Sequence, residues 1–161
     1  MIKNKITTLE KLMPLIQRLK KQKKKIITTN GVFDIIHPGH VKYLEKAKNL
    51  GDILIVGVNT DSSVRKNKGD KRPINNEKSR LTVLAALESV DYVFLFDEED
   101  PRLWLEKIMP NIHVKAGDYK LEKIIEKDAV EKSGGKIVIA EMEAGYSTTK
   151  LIEKILNLYD S

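Results

Sequence analysis

Apolar residues recur along this chain in two rhythms. Five short runs are almost continuously apolar: Lys25-Ile26-Ile27 leading into Thr28-Thr29, Ile53 to Val58, Tyr92 to Phe96, Ile112-His113-Val114, and Lys136 to Ala140. Runs of this length with little polar alternation predict strands covered on both faces, as in a parallel sheet. Between them apolar positions return every three or four residues, which predicts helices. Leu9, Leu12, Met13, Ile16 and Leu19 mark one over 7–21, with Thr7 and Glu10 spaced as a capping box. Pro14 inside it predicts two short pieces or a later start. Val41, Leu44 and Ala47 mark a second, stopped at Gly51. A third runs from Asn76 to Leu87 with Asn75 as its cap, and a fourth follows Asp100-Pro101 with Leu103, Trp104, Ile108 and Met109 on one face. Leu121, Ile124, Ile125 and Val130 predict a fifth ending at Gly134-Gly135, and Leu151, Ile152, Ile155 and Leu158 a last one capped by Ser147.

Strands alternating with helices predict layers of helix on a mostly parallel sheet. At 161 residues the chain is the size of one domain, residues 1–161, with 1–24 as a helical extension packed on it. Composition narrows the chemistry. The absence of cysteine excludes disulfides, thiolate metal sites and a cysteine nucleophile, and suits a reducing cytoplasm. No apolar run approaches 18 residues and no signal-peptide pattern follows Met1, so a cytoplasmic protein with no membrane partner is expected. The formal charge is +6, but much of it sits in Lys20-Lys21-Gln22-Lys23-Lys24-Lys25. No aromatic residue interleaves those lysines to stack bases, so they read as a solvated helix end and not as a nucleic-acid surface.

The stretch Thr28 to His40, TTNGVFDIIHPGH, joins the first strand to the second helix. In an open parallel sheet, ligands bind beyond the carboxyl ends of the strands, where a helix start offers unpaired N–H groups to anions. Gly31 and Gly39 let backbone approach a phosphate closely, and His37 and His40, three residues apart, face one bound group. Asn59-Thr60-Asp61 ends the second strand, where capping and ligand contact are equally open. Residues 65–73 form a basic polar loop, on composition a solvated connector. His113 and Trp104 read as structural. A zinc site at His37 and His40 lacks further ligands, and neither a Walker A motif nor a Gly-x-Gly-x-x-Gly fingerprint occurs.

The pattern Asn-Gly-Val-Phe-Asp-x-x-His-x-Gly-His, with Lys68-Gly69-Asp70-x-Arg72-Pro73 and Gly145-x-Ser147-Thr148-Thr149 later in the chain, resembles the His-x-Gly-His nucleotidyltransferases. It is most similar to the heptose 1-phosphate adenylyltransferases, and the likeness covers nearly the whole chain. The resemblance implies a Rossmann-like α/β fold, a five-stranded parallel sheet ordered 3-2-1-4-5 with helices on both faces. It implies attack by a sugar 1-phosphate on the α-phosphorus of ATP, giving ADP-heptose and pyrophosphate. His37, His40, Lys68 and Arg80 take the catalytic positions. Nucleotide contacts fall on Asn30, Gly31, Val32, Phe33, His37, Gly39, His40, Lys115, Gly117, Asp118, Ser147 and Thr148, and sugar-phosphate contacts on Asn59, Asp61, Lys68, Arg72 and Arg80. Mg²⁺ is implied with the triphosphate, held by phosphate oxygens more than by protein. A homodimer and a separate heptose kinase are implied as well. Ala116 stands where relatives carry a glycine, which requires a negative φ there.

Physics alone does not choose the base or the acceptor. Glycerol 3-phosphate with CTP, or FMN with ATP, fits similar folds, and a nucleotide-sensing module without turnover is the alternative of another class.

Overall fold

The computed structural model describes residues 1–159 apart from 118 and 142. Five strands, β1 (Ile26–Gly31), β2 (Ile53–Asn59), β3 (Tyr92–Phe96), β4 (Ile112–Ala116) and β5 (Lys136–Ala140), form one all-parallel sheet in the order β3-β2-β1-β4-β5. The layering is the one that the strand and helix rhythm predicts, and the Rossmann-like strand order is the one that the resemblance implies. The order reverses between β1 and β4, the place where such sheets bind ligands. Register there is short. β1 pairs with β2 from Ile26↔Ile53 to Gly31↔Val58, but with β4 only at Ile27↔Ile112 and Thr28↔His113. Beyond that point side chains take over, since the Val114 carbonyl accepts from Thr29 Oγ1 at 3.0 Å and from the Tyr43 hydroxyl at 2.9 Å.

Two apolar layers sandwich the sheet. On one face, helices α2 (Pro38–Lys48) and α4 (Glu77–Ala86) bury Leu44, Ala47, Leu81, Leu84 and Ala85 against Ile27, Val56 and Val114. On the other, α1 (Leu9–Lys21), α5 (Arg102–Ile108) and α6 (Lys127–Glu131) bury Leu12, Ile16, Trp104, Leu105 and Val130 against Ile26, Ile55 and Phe94. Each buried Leu, Ile, Val or Phe side chain contributes roughly 1.5–3 kcal/mol by leaving water. Two further helices, α3 (Asp61–Lys68) and α7 (Thr148–Tyr159), stand after β2 and β5. The N-terminal segment extends the β3 edge, with Val93 N–H donating to the Lys5 carbonyl and Thr7 N–H to that of Val93. No helix among the described residues is long and apolar enough to cross a membrane.

Three local expectations need correction. α1 runs unbroken through Pro14, capped by Thr8, whose hydroxyl accepts from Lys11 N–H. One missing hydrogen bond is outweighed by the burial of Leu12 and Ile16 on either side of it. α4 is capped by Asn76, not Asn75, because the Asn75 amide is engaged elsewhere. The fifth predicted helix is two pieces, a 3-10 turn over Leu121–Lys123 and the short α6, with Ile124 in extended conformation between them.

Candidate active site

The loop from β1 to α2 is shaped by one buried carboxylate. Asp34, 4% exposed, accepts from Arg72 Nε at 2.7 Å, Ile74 N–H at 2.8 Å and Asn75 N–H at 2.7 Å, while Asn75 Nδ2 donates to its carbonyl. Burial pushes its carboxyl upward, but the Asn75 and Ile74 amides and the Arg72 guanidinium outweigh that and hold it below the usual range. Asp34 therefore ties the basic 65–73 segment to the histidine loop. Phe33 beside it has φ +49°, a conformation that costs a bulky residue roughly 1–3 kcal/mol. Gly31 makes room for that turn, since a Cβ there would sit 2.9 Å from the Phe33 ring.

The two imidazoles stack face to face, ring centroids 3.8 Å apart at 24°. His37 is the N-cap residue of α2 and its ring lies 6.0 Å from that of Tyr146, nearly parallel to it; His40 lies 5.4 Å from Phe33. Gly39 is what lets these pieces close up, for a Cβ there would meet His37 Nδ1 at 3.0 Å and Tyr146 Cβ at 3.2 Å. Both Nδ1 atoms, and Asn30 Oδ1 at the end of β1, are buried without a hydrogen-bond partner. Orphaned polar atoms of this kind cost free energy unless a ligand or water satisfies them.

Burial, and then the neighbouring His37, lowers the His40 imidazole from its ordinary 6.5 to about 4, and burial lowers His37 in the same direction. Both rings are thus neutral near pH 7, each with one N–H to donate. A stability consequence follows. A group whose folded pKa lies below its unfolded one binds more protons when unfolded, so its contribution is complete above pH 6.5 and drains away as pH falls toward 4. Urea midpoints are expected to fall between pH 7 and pH 5, and less steeply in His40→Gln; parallel profiles for the two proteins would refute the assignment.

The last helix opens on this loop. Ser147 Oγ accepts from Lys150 N–H at 3.0 Å as the cap of α7, and Thr148 Oγ1 donates to the Ile35 carbonyl at 3.3 Å. Residues 30–40 and 146–148, more than a hundred positions apart, therefore meet beyond the strand ends. On the far side of β1, Lys115 leaves β4 with its ammonium paired to Glu126 and 5.8 Å above the Tyr119 ring. The left-handed φ in this stretch, +120°, falls on Gly117, so the Ala116 methyl is accommodated. Asp118 lies outside the described residues.

The remaining basic candidates divide. Arg80 is fully buried and spends four N–H groups on protein: Nε on Asn75 O at 3.0 Å, Nη1 on Val32 O at 2.6 Å, and Nη2 on Asn59 O at 2.7 Å and Asp61 Oδ1 at 2.8 Å. In this arrangement it braces the ends of β1 and β2 against α4 and presents no free fork to a phosphate. Asn59 and Asp61 belong to that brace, with Asn59 Nδ2 also on Ser63 Oγ and Thr60 capping α3. Arg72 keeps its Nη groups beyond the Asp34 pair, and Lys68, the last residue of α3, is exposed. Sequence reasoning missed Tyr43, Tyr146 and Glu126. Only Tyr146 carried a signal, its place next to Ser147-Thr148-Thr149.

Comparison with known proteins gives a consistent result. The sequence profile described as cytidylyltransferase-like matches residues 28–154. The bifunctional protein HldE of Citrifermentans bemidjiense is 49% identical over 156 residues, 97% of this chain and 32% of that protein, and the HldE of Geobacter metallireducens is 48% identical over 155 residues. The chain thus spans about a third of the length of these relatives. Among solved structures, a lipopolysaccharide core biosynthesis protein from Thermoplasma volcanium superposes with a TM-score of 0.62 at 34% identity, covering 74% of this chain and 97% of that one. A pantoate-beta-alanine ligase from Francisella tularensis shares the fold alone, at 18% identity and TM-score 0.62 over 97% of this chain and 78% of that one.

Proposed function

The chain belongs to the cytidylyltransferase-like family of nucleotidyltransferases, and on that premise we propose that it transfers AMP from ATP to D-glycero-D-manno-heptose 1-phosphate, releasing pyrophosphate. The observation that carries the chemistry is the stacked histidine pair with its orphaned nitrogens beside the α7 start, where the sheet order reverses. The heptose assignment rests on the identity to HldE across nearly the whole chain and on the Lys68-Gly69-Asp70-x-Arg72-Pro73 loop.

Two anions must meet in line, so the protein's work is positioning and charge stabilisation, with no covalent intermediate. Neutral His37 and His40 donate N–H groups to phosphate oxygens as the bond to pyrophosphate lengthens. The N–H groups at the start of α7, that of Thr148 among them, hold phosphate on the opposite side together with the Ser147 hydroxyl. Lys68 and Arg72 neutralise the incoming phosphate, and Lys115 and Gly117 border the nucleotide. Gly39 keeps the space beside the rings open. Two carboxylates at the strand ends, Asp34 and Asp61, are committed to arginines, so a Mg²⁺ accompanying ATP fits as an ion carried on phosphate oxygens, where it would spread their charge.

The test is a pyrophosphate-release screen of ATP and CTP against heptose 1-phosphate, glycerol 3-phosphate and FMN. Turnover is expected with ATP and the heptose phosphate. Turnover with CTP and glycerol 3-phosphate would move the protein to that acceptor class. ATP binding with no turnover for any acceptor would make it a nucleotide-binding regulator.

A further inference from the structure

A buried polar chain leads away from the site on the face opposite α2. Thr28 Oγ1 lies 2.9 Å from His113 Nδ1, and His113 Nε2 lies 3.8 Å from Glu126 Oε1. The same Glu126 oxygen is paired with the Lys115 ammonium. His113 is fully enclosed, edge-on to the Trp104 ring at 5.9 Å, and Glu126 is 3% exposed, whereas the Lys115 side chain retains 19%. Sequence periodicity places Glu126 on no apolar face, and a carboxylate is almost never this enclosed unless it is paired. Its position at the N-cap of α6 does not explain the burial, for no cap hydrogen bond is made by its side chain.

We propose that Glu126 is a positioning residue for the nucleotide site, fixing the Lys115 ammonium at the mouth of the crevice between β1 and β4. The inference rests on the reading of Lys115 as a nucleotide contact. A free lysine side chain surrenders roughly 2 kcal/mol of rotamer entropy when a ligand immobilises it. Here that loss is met on folding: the carboxylate holds one side of the ammonium, the Tyr119 ring faces another, and the remaining N–H groups are left for an anion. His113 completes the arrangement. Its burial lowers its pKa, so it stays neutral; in the tautomer whose Nδ1 accepts from the Thr28 hydroxyl, Nε2–H faces the carboxylate at 3.8 Å, beyond hydrogen-bond range. Glu126 is held at about 2: burial raises it, but His113 and Lys115 more than compensate, so the ion pair persists throughout the neutral range.

The experiment is a double-mutant cycle on ATP binding, read by calorimetry, with Tm confirming that each protein folds. Lys115→Met and Glu126→Gln are each expected to raise the ATP Kd about tenfold, and the double variant to be no worse than Lys115→Met alone, because Glu126 acts only through Lys115. Glu126→Asp, which keeps the charge one methylene back, is expected to recover part of the loss. If Glu126→Gln does not fold, Glu126→Asp carries the cycle: its Kd must rise in the wild-type background and not in Lys115→Met. An unchanged or tighter Kd in the single Glu126 variant, or losses that multiply in the double, overturns the proposal and leaves the functional reading in place. A wild-type protein that binds no nucleoside triphosphate sinks both.

Discussion

Replacing His40 with alanine is expected to lower kcat by about 10²-fold or more, by analogy with the loss of one oxyanion-hole donor. The ring is packed between His37 and Phe33, and its Nδ1 is buried with no protein partner, so no structural hydrogen bond disappears with it. What disappears is a donor whose partner must come from outside the chain. Because burial and the adjacent His37 hold it near 4 in the free protein, it acts at neutral pH as an uncharged donor, and His40→Gln, which keeps an N–H, is expected to fall between wild type and His40→Ala. Steady-state turnover with ATP and the acceptor is the measurement. A folded His40→Ala protein with wild-type kcat would remove this residue from the mechanism.

Arg80→Ala is expected to lower unfolding stability by about 3–5 kcal/mol, the range for removing one partner of a buried ion pair. The loss strands three carbonyls, Val32, Asn59 and Asn75, together with the Asp61 carboxylate. Lysine is no remedy. Its single ammonium cannot span acceptors arranged around a planar guanidinium, so Arg80→Lys is expected to recover only a minor part. Urea unfolding decides between a brace and a phosphate ligand: an unaltered midpoint with a raised KM would return Arg80 to the phosphate role that the family resemblance implies.

Much of the framework was legible because the signals were period and punctuation. The nearly continuous apolar runs of β2 and β3, bounded by turn residues, suit strands covered on both faces, and Ser147 is a residue type favoured at the helix start it caps. The histidine pair was legible because Asn30 and Gly31 at the end of β1 and Gly39 in the first turn of α2 accompany it in the spacing of the family pattern. What escaped was tertiary. Nothing local says that Asp34 will draw in Arg72, Ile74 and Asn75 from forty positions away, and that engagement is what hands the cap of α4 to Asn76. The same holds for Glu126, whose inward turn toward β4 accompanies the break that leaves α6 only five residues long. Pro14 misled for the opposite reason: a local rule was obeyed in the missing hydrogen bond but overridden by burial on both sides.

The short seam between β1 and β4 has a mechanical consequence. Past Thr28 and His113 the two strands share no backbone rungs, so the sheet is two plates, β3-β2-β1 and β4-β5, fastened at their lower edge. At the tips the fastening passes to hydroxyls, Thr29 and Tyr43 on the Val114 carbonyl, which reorient far more cheaply than a ladder. An elongated anion lying across that fork touches both plates at once, and whatever holds it there also rivets one half of the molecule to the other.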